Sequence, residues 1–493
     1  MLSLKNKLLT LENSIIKFLS SKIFFWVVIA LFIMQSLWIA FSIRFPMLFD
    51  EFYHFGVIKV FSGHLSPIIV NQPVEYDIYG NLTFGNASIF HYLLSFPFRL
   101  ISFITQDQTI QIIFLRVINI LLAASGLIVF ARLFKAIDIK QIYINLSLFF
   151  FSLITIVTFV SATISYDNLL FLLTPWFLLL GVRILRSKTI SVSYILQFII
   201  VGLFASLIKF TFLPIFVAGV LFVFLVVFKK HGKALPNKLL KSINKITKFK
   251  SVLLVSLLII FGSIFTIRYI TPTIKYGSPI PDCGATLSVE RCRVGYVYDR
   301  DMRLKATKAE RYAEPPQQYI LSWLKSQLTQ LDTSAALTPH TWLYGKPMPV
   351  FSFIMSTLAY ICSIAILLNL YRIKKNINCI FITTMALVLI FTVFIFNILS
   401  YYSAHIDLNV QVRYLLSIFP VFMVMSMVAL SDLIGHRRHV KVLILIAVLL
   451  FSTQGGGIIK PIINADSNWY WQNTVIIETN KDLKNILSPL VKE

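Results

Sequence analysis

The sequence predicts an all-α polytopic membrane protein, and three observations carry that prediction. Of its 493 residues, 57% are hydrophobic and only 13% are charged, against roughly a quarter charged in an ordinary soluble domain. The mean hydropathy is +0.79. The apolar runs have the length of membrane helices rather than of barrel strands, which alternate over about ten residues. The net charge of +24 does not point to nucleic acid. The basic residues cluster in short loops between apolar runs, as they do in the cytoplasmic loops of membrane proteins.

The N-terminus resembles a signal peptide, with Lys5, Lys7, Lys17 and Lys22 before an apolar run at 23–43. That run is longer than a signal h-region and no small-residue cleavage site follows it. It reads as an uncleaved first span with a cytoplasmic N-terminus. Further spans are expected at 109–134, 141–160, 168–185, 193–209, 211–228, 251–271, 350–371, 378–399, 411–431 and 440–456, about eleven in all. The apolar stretch 88–105 holds His91, Pro97 and Arg99. If it does not cross, Arg132/Lys135/Lys140, Arg183/Arg186/Lys188, 229–250, Arg372/Lys374/Lys375 and Arg437/Arg438/Lys441 all fall inside, as the positive-inside rule requires. So 88–105 is expected to lie in the outer interface or to re-enter. The loop 229–250 has many lysines, no acid and apolar residues near helical spacing. It reads as an amphipathic helix on the anionic inner leaflet, a topology anchor.

This gives four regions: an N-terminal transmembrane module at 1–271 with an outer loop at 44–108, an exoplasmic loop at 272–349, C-terminal helices at 350–456, and a short exoplasmic tail at 457–493. The setting is a plasma membrane, with the C-terminus outside. Cys362 and Cys379 lie in or beside spans and are expected to be inert. Cys283 and Cys292 share the exoplasmic loop, where compartment and spacing allow a bridge; two free thiols are the alternative. The sequons at Asn81, Asn86 and Asn145 carry little information, since Asn145 falls within a span.

The polar residues expected at the outer ends of spans carry the chemistry. Asp50 and Glu51 follow the first span, in Phe49-Asp-Glu-Phe-Tyr53. Asp167, in Ser165-Tyr-Asp-Asn168, sits at the mouth of another. Each of Asp50 and Asp167 has a plain reading as a helix N-cap. Lys209 and Arg413 lie on the same side, against the positive-inside bias. Their plain readings are snorkelling to lipid phosphates or pairing with the acids. Three acids and two cations on one side describe a site.

These stretches resemble the GT-C superfamily of polytopic glycosyltransferases, which includes protein O-mannosyltransferases, aminoarabinose transferases and bacterial relatives. Phe49-Asp-Glu-Phe-Tyr53 resembles the acidic motif after the first span. His91-Tyr-Leu-Leu-Ser-Phe-Pro97 with Arg116-Val-Ile-Asn119, Ser206-Leu-Ile-Lys-Phe-Thr-Phe-Leu-Pro214 and Gln411-Val-Arg-Tyr-Leu-Leu-Ser-Ile-Phe-Pro420 resemble three later motifs, in the same order. Phe210 stands where a glycine is usual, and no large C-terminal soluble domain follows.

The resemblance implies a sugar donor on polyprenyl phosphate, used at the outer face, with membrane lipids around it and a glycan, lipid or protein as acceptor. Asp50 would be the general base of an inverting transfer. Lys209, Arg413 and Tyr414 would bind the donor phosphate, and Glu51 and Asp167 would assist. His54, His91 and Tyr92 are candidates for substrate binding. Asp50 and His54 stand at i, i+4 and Asp167 could join them, so Mg²⁺ or Mn²⁺ is a candidate ion. The runner-up reading is a transporter or lipid flippase. It has against it the absence of an inverted repeat and the gathering of charge at one face.

Overall fold

The computed structural model describes residues 2–47, 50–84, 88–243, 246–333, 376–407, 411–434 and 456–490. The described residues form helices joined by turns, and an isolated antiparallel bridge joins Ile43 to Tyr470. Among them, six helices are long and apolar enough to cross a membrane, and a bent pair makes a seventh candidate. The expected spans at 350–371 and 440–456 lie outside the described residues, as do Phe49, Asn86, Cys362 and the basic groups around 372–375 and 437–441.

Helix α1 (Leu2–Leu19) precedes α2 (Lys22–Ser42). The junction is capped by Ser21, whose hydroxyl accepts from the Phe24 amide. After a turn come α3 (Glu51–Ser62) and α4 (Ile89–Ile104). At 16 residues, α4 is about 24 Å long, short of the ~30 Å hydrocarbon core. Arg99 ties it to the end of α3 by donating to the carbonyls of Phe61 and His64, groups that a helix C-terminus leaves unsatisfied.

Helix α5 (Gln108–Ala136) runs through the core. The expected single span at 141–160 is instead two helices, α6 (Gln141–Ser152) and α7 (Thr155–Ala162), bent by 73°. The reason lies in the C-terminal part of the chain. The Gly457 amide donates to the Leu153 carbonyl at 2.6 Å, and the Thr155 hydroxyl reaches the Gly457 carbonyl at 3.4 Å. Gln35, inside α2, accepts from the Ile458 amide. Irregular backbone at membrane depth is tolerated when protein satisfies it. Gly457 lies against the Gln35 side chain and has φ of +62°, a backbone conformation that favours glycine.

Helix α8 (Tyr166–Arg186) packs along α5, and α9 (Val192–Ile208) follows it. A 3-10 turn at Phe210–Phe212 leads into α10 (Leu213–His231), with a proline in its first turn. The basic stretch forms α11 (Leu235–Ile243), which leaves Leu240 and Ile243 exposed beside Lys238 and Lys241. Helix α12 (Lys248–Phe265) passes through a π-helical turn at Thr266–Ile270 into α13 (Thr271–Tyr276). The turn's extra residue lets two consecutive side chains point inward. Arg268 donates to the Leu82 and Thr83 carbonyls, and Tyr269 to that of Ser206.

The following segment carries α14 (Val289–Val294), α15 (Tyr296–Ala306) and α16 (Pro316–Thr333). Cys283 and Cys292 form a disulfide. Beside it, Arg291 donates to both oxygens of Asp77 at 2.7 Å and to the Gln72 carbonyl, while Asn81 donates to Thr286. The bridged segment is therefore docked on the loop between α3 and α4. With the cysteines nine residues apart, chain-entropy reasoning gives about 2–3 kcal/mol for the bridge. A Cys283→Ser/Cys292→Ser protein is expected to unfold at lower temperature in detergent, which a thermal scan by intrinsic fluorescence checks.

Helix α17 (Ile377–Ala404) receives Trp323 of α16, whose indole N–H donates to Asn397 at 2.8 Å. The expected span at 411–431 is shorter than read. Residues Val412–Leu415 form a 3-10 turn, and α18 (Phe419–Ile434) begins only at Phe419, with Pro420 next to it. Proline is well suited to a first helical turn. The segment expected as a short tail, 457–493, packs on the bundle, with α19 (Ile459–Asn464) and α20 (Thr474–Leu487). Arg44 donates its amide to Trp469, Trp471 to Ser42, and Asn480 its side chain to the Ser42 hydroxyl.

Candidate functional site

Asp50, Asp167, Lys209 and Arg413, far apart in sequence, meet at one end of the bundle. Each arrives on a different device. Asp50 stands before α3 in the left-handed region, at φ 64° and ψ 27°, which Asp tolerates better than most residues. The plain reading of Asp50 as an N-cap fails, because its side chain makes no cap bond. It accepts instead from Arg413 Nη2 at 2.7 Å.

The capping reading of Asp167 fails too. Ser165 is the N-cap of α8, and its hydroxyl accepts from the Asp167 amide. That leaves the Asp167 carboxylate to Lys209 Nζ at 2.7 Å, with Arg413 Nε at 3.9 Å from its second oxygen. Lys209 sits at the C-terminal end of α9. Its ammonium lies 4.1 Å from the Tyr414 ring centre and 4.8 Å from that of Tyr166, positions that aromatic faces favour. Arg413 rides on the 3-10 turn before α18, 5.3 Å from Tyr414. Two carboxylates and two cations make the cluster neutral. A cavity of about 20 Å³ adjoins it, with Asp167, Asn168, Arg413, Tyr414 and Ser417 in its wall.

Exposure divides the four. The side chains of Lys209, Asp167 and Arg413 keep 10%, 7% and 2% accessibility, whereas Asp50 keeps 60%. Burial works to raise the Asp50 carboxyl, but Arg413, with smaller help from His54 and Lys209, outweighs it and holds the group below the usual carboxylate range.

Glu51, the second acid of the opening pair, has a different place. It is fully buried and forms a two-pronged pair with Arg116, Nε to Oε1 and Nη2 to Oε2, both at 2.8 Å. Its oxygens also accept from the Met47 and Ile164 amides. Arg116 Nη1 donates to the carbonyls of Ala40 and Ile43, and the Trp471 ring lies 5.5 Å away. Glu51 thus knots the end of α2 to α5 and to the turn before α8. One turn along α5, Asn119 Oδ1 accepts from the Ser165 amide and the Asn168 side chain. Arg116 and Asn119 stand three apart on one helix face, so α5 holds both acidic turns in place. Their roles were missed in the sequence, although a lone arginine and asparagine in an apolar span were the available signal.

His54 and His91 pair with each other, Nδ1 to Nε2 at 2.9 Å, and each is 1% exposed. Tyr166 meets His54 edge-on at 4.8 Å, so the pair lies directly behind the charged cluster. Tyr92 is not gathered there; its hydroxyl donates to the Leu65 carbonyl and its ring packs on Phe61. Burial lowers His54 to about 4 and His91 well below its ordinary value. A histidine depressed from about 6.5 in the unfolded chain contributes stability that is complete above that pH and is lost as pH falls towards 4, roughly 3 kcal/mol for His54. The melting temperature in detergent is expected to fall between pH 7 and pH 4.5, and His54→Gln is expected to flatten that slope.

The residues do not present a metal donor set. Asp50 and Asp167 are each engaged by a cation, His54 Nδ1 is engaged by His91, and among the described residues no three of His, Cys, Asp and Glu converge. Compared with known proteins, the chain matches no protein-family model and no curated sequence.

Proposed function

We propose that the chain is a membrane glycosyltransferase of the GT-C kind, with about eleven spans and its charged cluster on the exoplasmic face of the plasma membrane. The observation that carries this reading is the solvent-reached Asp50 carboxylate, 2.7 Å from a buried arginine, beside a second, buried carboxylate–lysine pair. Charge buried at the end of a span is expensive, and function is a common reason for keeping it. A transporter would want its charges along a path through mid-depth, whereas these four gather at one end.

In the proposed reaction a polyprenyl phosphate carries the sugar. Asp50 removes the proton of an acceptor hydroxyl as that oxygen attacks the anomeric carbon. The bond from that carbon to the phosphate oxygen breaks, and the electron pair leaves with the lipid phosphate. Arg413 and Lys209, already fixed by Tyr414 and Tyr166, stabilise the added negative charge. A single displacement inverts the anomeric centre. Glu51 serves by holding the Asp50 turn, and the His54–His91 pair backs the site.

The test is sugar release from a panel of polyprenyl-phosphate sugars by membranes carrying wild type or Asp50→Asn at equal folded levels. Consumption of one donor by wild type alone supports the reading. Equal consumption by both would show that Asp50 is not the base.

A further inference from the structure

The proposed chemistry asks for a free carboxylate and a free guanidinium, yet Asp50 and Arg413 occupy each other at 2.7 Å. The two ion pairs of the cluster are not equivalent. In Lys209–Asp167 both side chains are buried, so opening the pair would strand two charges away from water. In Arg413–Asp50 the arginine is 2% exposed and the carboxylate 60%. Asp50 also stands on a left-handed turn with no cap bond to hold its side chain. If Asp50 leaves, water solvates it, provided another anion takes its place on Arg413.

We propose that Arg413 is a partner-exchange switch: the phosphate of a lipid-linked donor displaces Asp50 from Arg413, and the freed Asp50 carboxylate becomes the base only once that donor is bound. The inference rests on the transferase reading and adds its regulation. The exchange leaves Arg413 paired with one negative charge, a phosphodiester anion in place of a carboxylate, while water solvates the released Asp50. It is favoured because phosphate matches the guanidinium fork in two-pronged geometry. It also strengthens the base. Arg413 is the main influence holding the Asp50 carboxyl low, and a carboxylate relieved of that partner binds a proton more readily. Donor therefore binds before acceptor is activated, and water is not activated at an empty site.

The probe is a short-chain polyprenyl monophosphate added to the full chain in non-ionic detergent. Its binding is measured by equilibrium dialysis, and Asp50 reactivity by carbodiimide labelling read by peptide mass spectrometry. At saturation Asp50 labelling is expected to rise about threefold or more, while buried Glu51 stays unlabelled. Arg413→Gln is expected to show the raised labelling without the probe. Asp50→Asn, which keeps a side chain of the same shape, is expected to bind the probe about 3- to 10-fold more tightly because its competitor is weakened. Probe binding with unchanged labelling, or unchanged affinity in Asp50→Asn, overturns the switch and leaves the transferase reading standing. No binding at all overturns both. An equal effect of inorganic phosphate would overturn the requirement that the phosphate be lipid-linked.

Discussion

Asp50→Asn is expected to slow sugar transfer by about 10²–10⁴-fold, the usual contribution of a positioned base, with folded protein unchanged. The amide keeps the size of the carboxylate, tolerates the left-handed backbone and still offers Arg413 an oxygen. What it loses is the ability to take a proton. The loss should fall on kcat, because in the proposed mechanism Asp50 acts in the transition state rather than in holding the donor. Arg413→Lys removes the fork but keeps the charge, and is expected to lower kcat by about 10²–10³-fold as the leaving phosphate loses its matched partner. Asp167→Asn should differ from both. It leaves the Lys209 ammonium buried without its carboxylate, so folded yield should fall along with activity. Single-turnover transfer, with size-exclusion profiles of each variant, separates these cases. Unaltered turnover in Asp50→Asn would remove the base from the mechanism.

How much of this was legible in the sequence depends on how local the cause was. Helix content follows from apolar runs and their caps, so α2, α5 and α8 stand close to where composition put them. That Asp50, Asp167, Lys209 and Arg413 could share one end was also legible, because span counting and loop charge both bear on it. What failed were features set by distant partners. Nothing near Leu153 announces the break between α6 and α7, because the residue that satisfies its backbone, Gly457, comes from some 300 residues along the chain. The packing of the tail was not legible because two of its contacts, with Ser42 and Arg44, are backbone bonds, which leave no side-chain signature. The plain reading of Asp50 as a cap, which stood beside its reading as the base, rests on capping being the common role of an aspartate before a helix. Its left-handed backbone and its arginine partner, 363 residues away, are tertiary facts.

Glu51→Gln, one residue further on, is expected to fail in the opposite way to Asp50→Asn. Both side chains of the Glu51–Arg116 pair have 0% accessibility, so the amide would leave a buried guanidinium without its counter-charge. Removing one member of such a pair typically costs about 3–5 kcal/mol, a large part of the margin of most folds. Arg116→Met should be as damaging, because it strands the Glu51 carboxylate and frees the carbonyls of Ala40 and Ile43 that Arg116 now satisfies. The double variant Glu51→Leu/Arg116→Met tests the argument further. It removes both charges together, so it should recover part of the loss. It should not recover all of it, since the Met47 and Ile164 amides would lose their acceptor. Thermal unfolding in detergent of wild type, Glu51→Leu, Arg116→Met and the double variant closes the cycle that gives the coupling. Normal melting of Glu51→Gln with lost transfer would mean that Glu51 meets substrate, and the clamp assigned to it would be wrong. Loss of folded protein, with Asp50→Asn still folded and inactive, would assign adjacent acids to separate tasks: one carries the proton, and the other holds the turn from which the first acts.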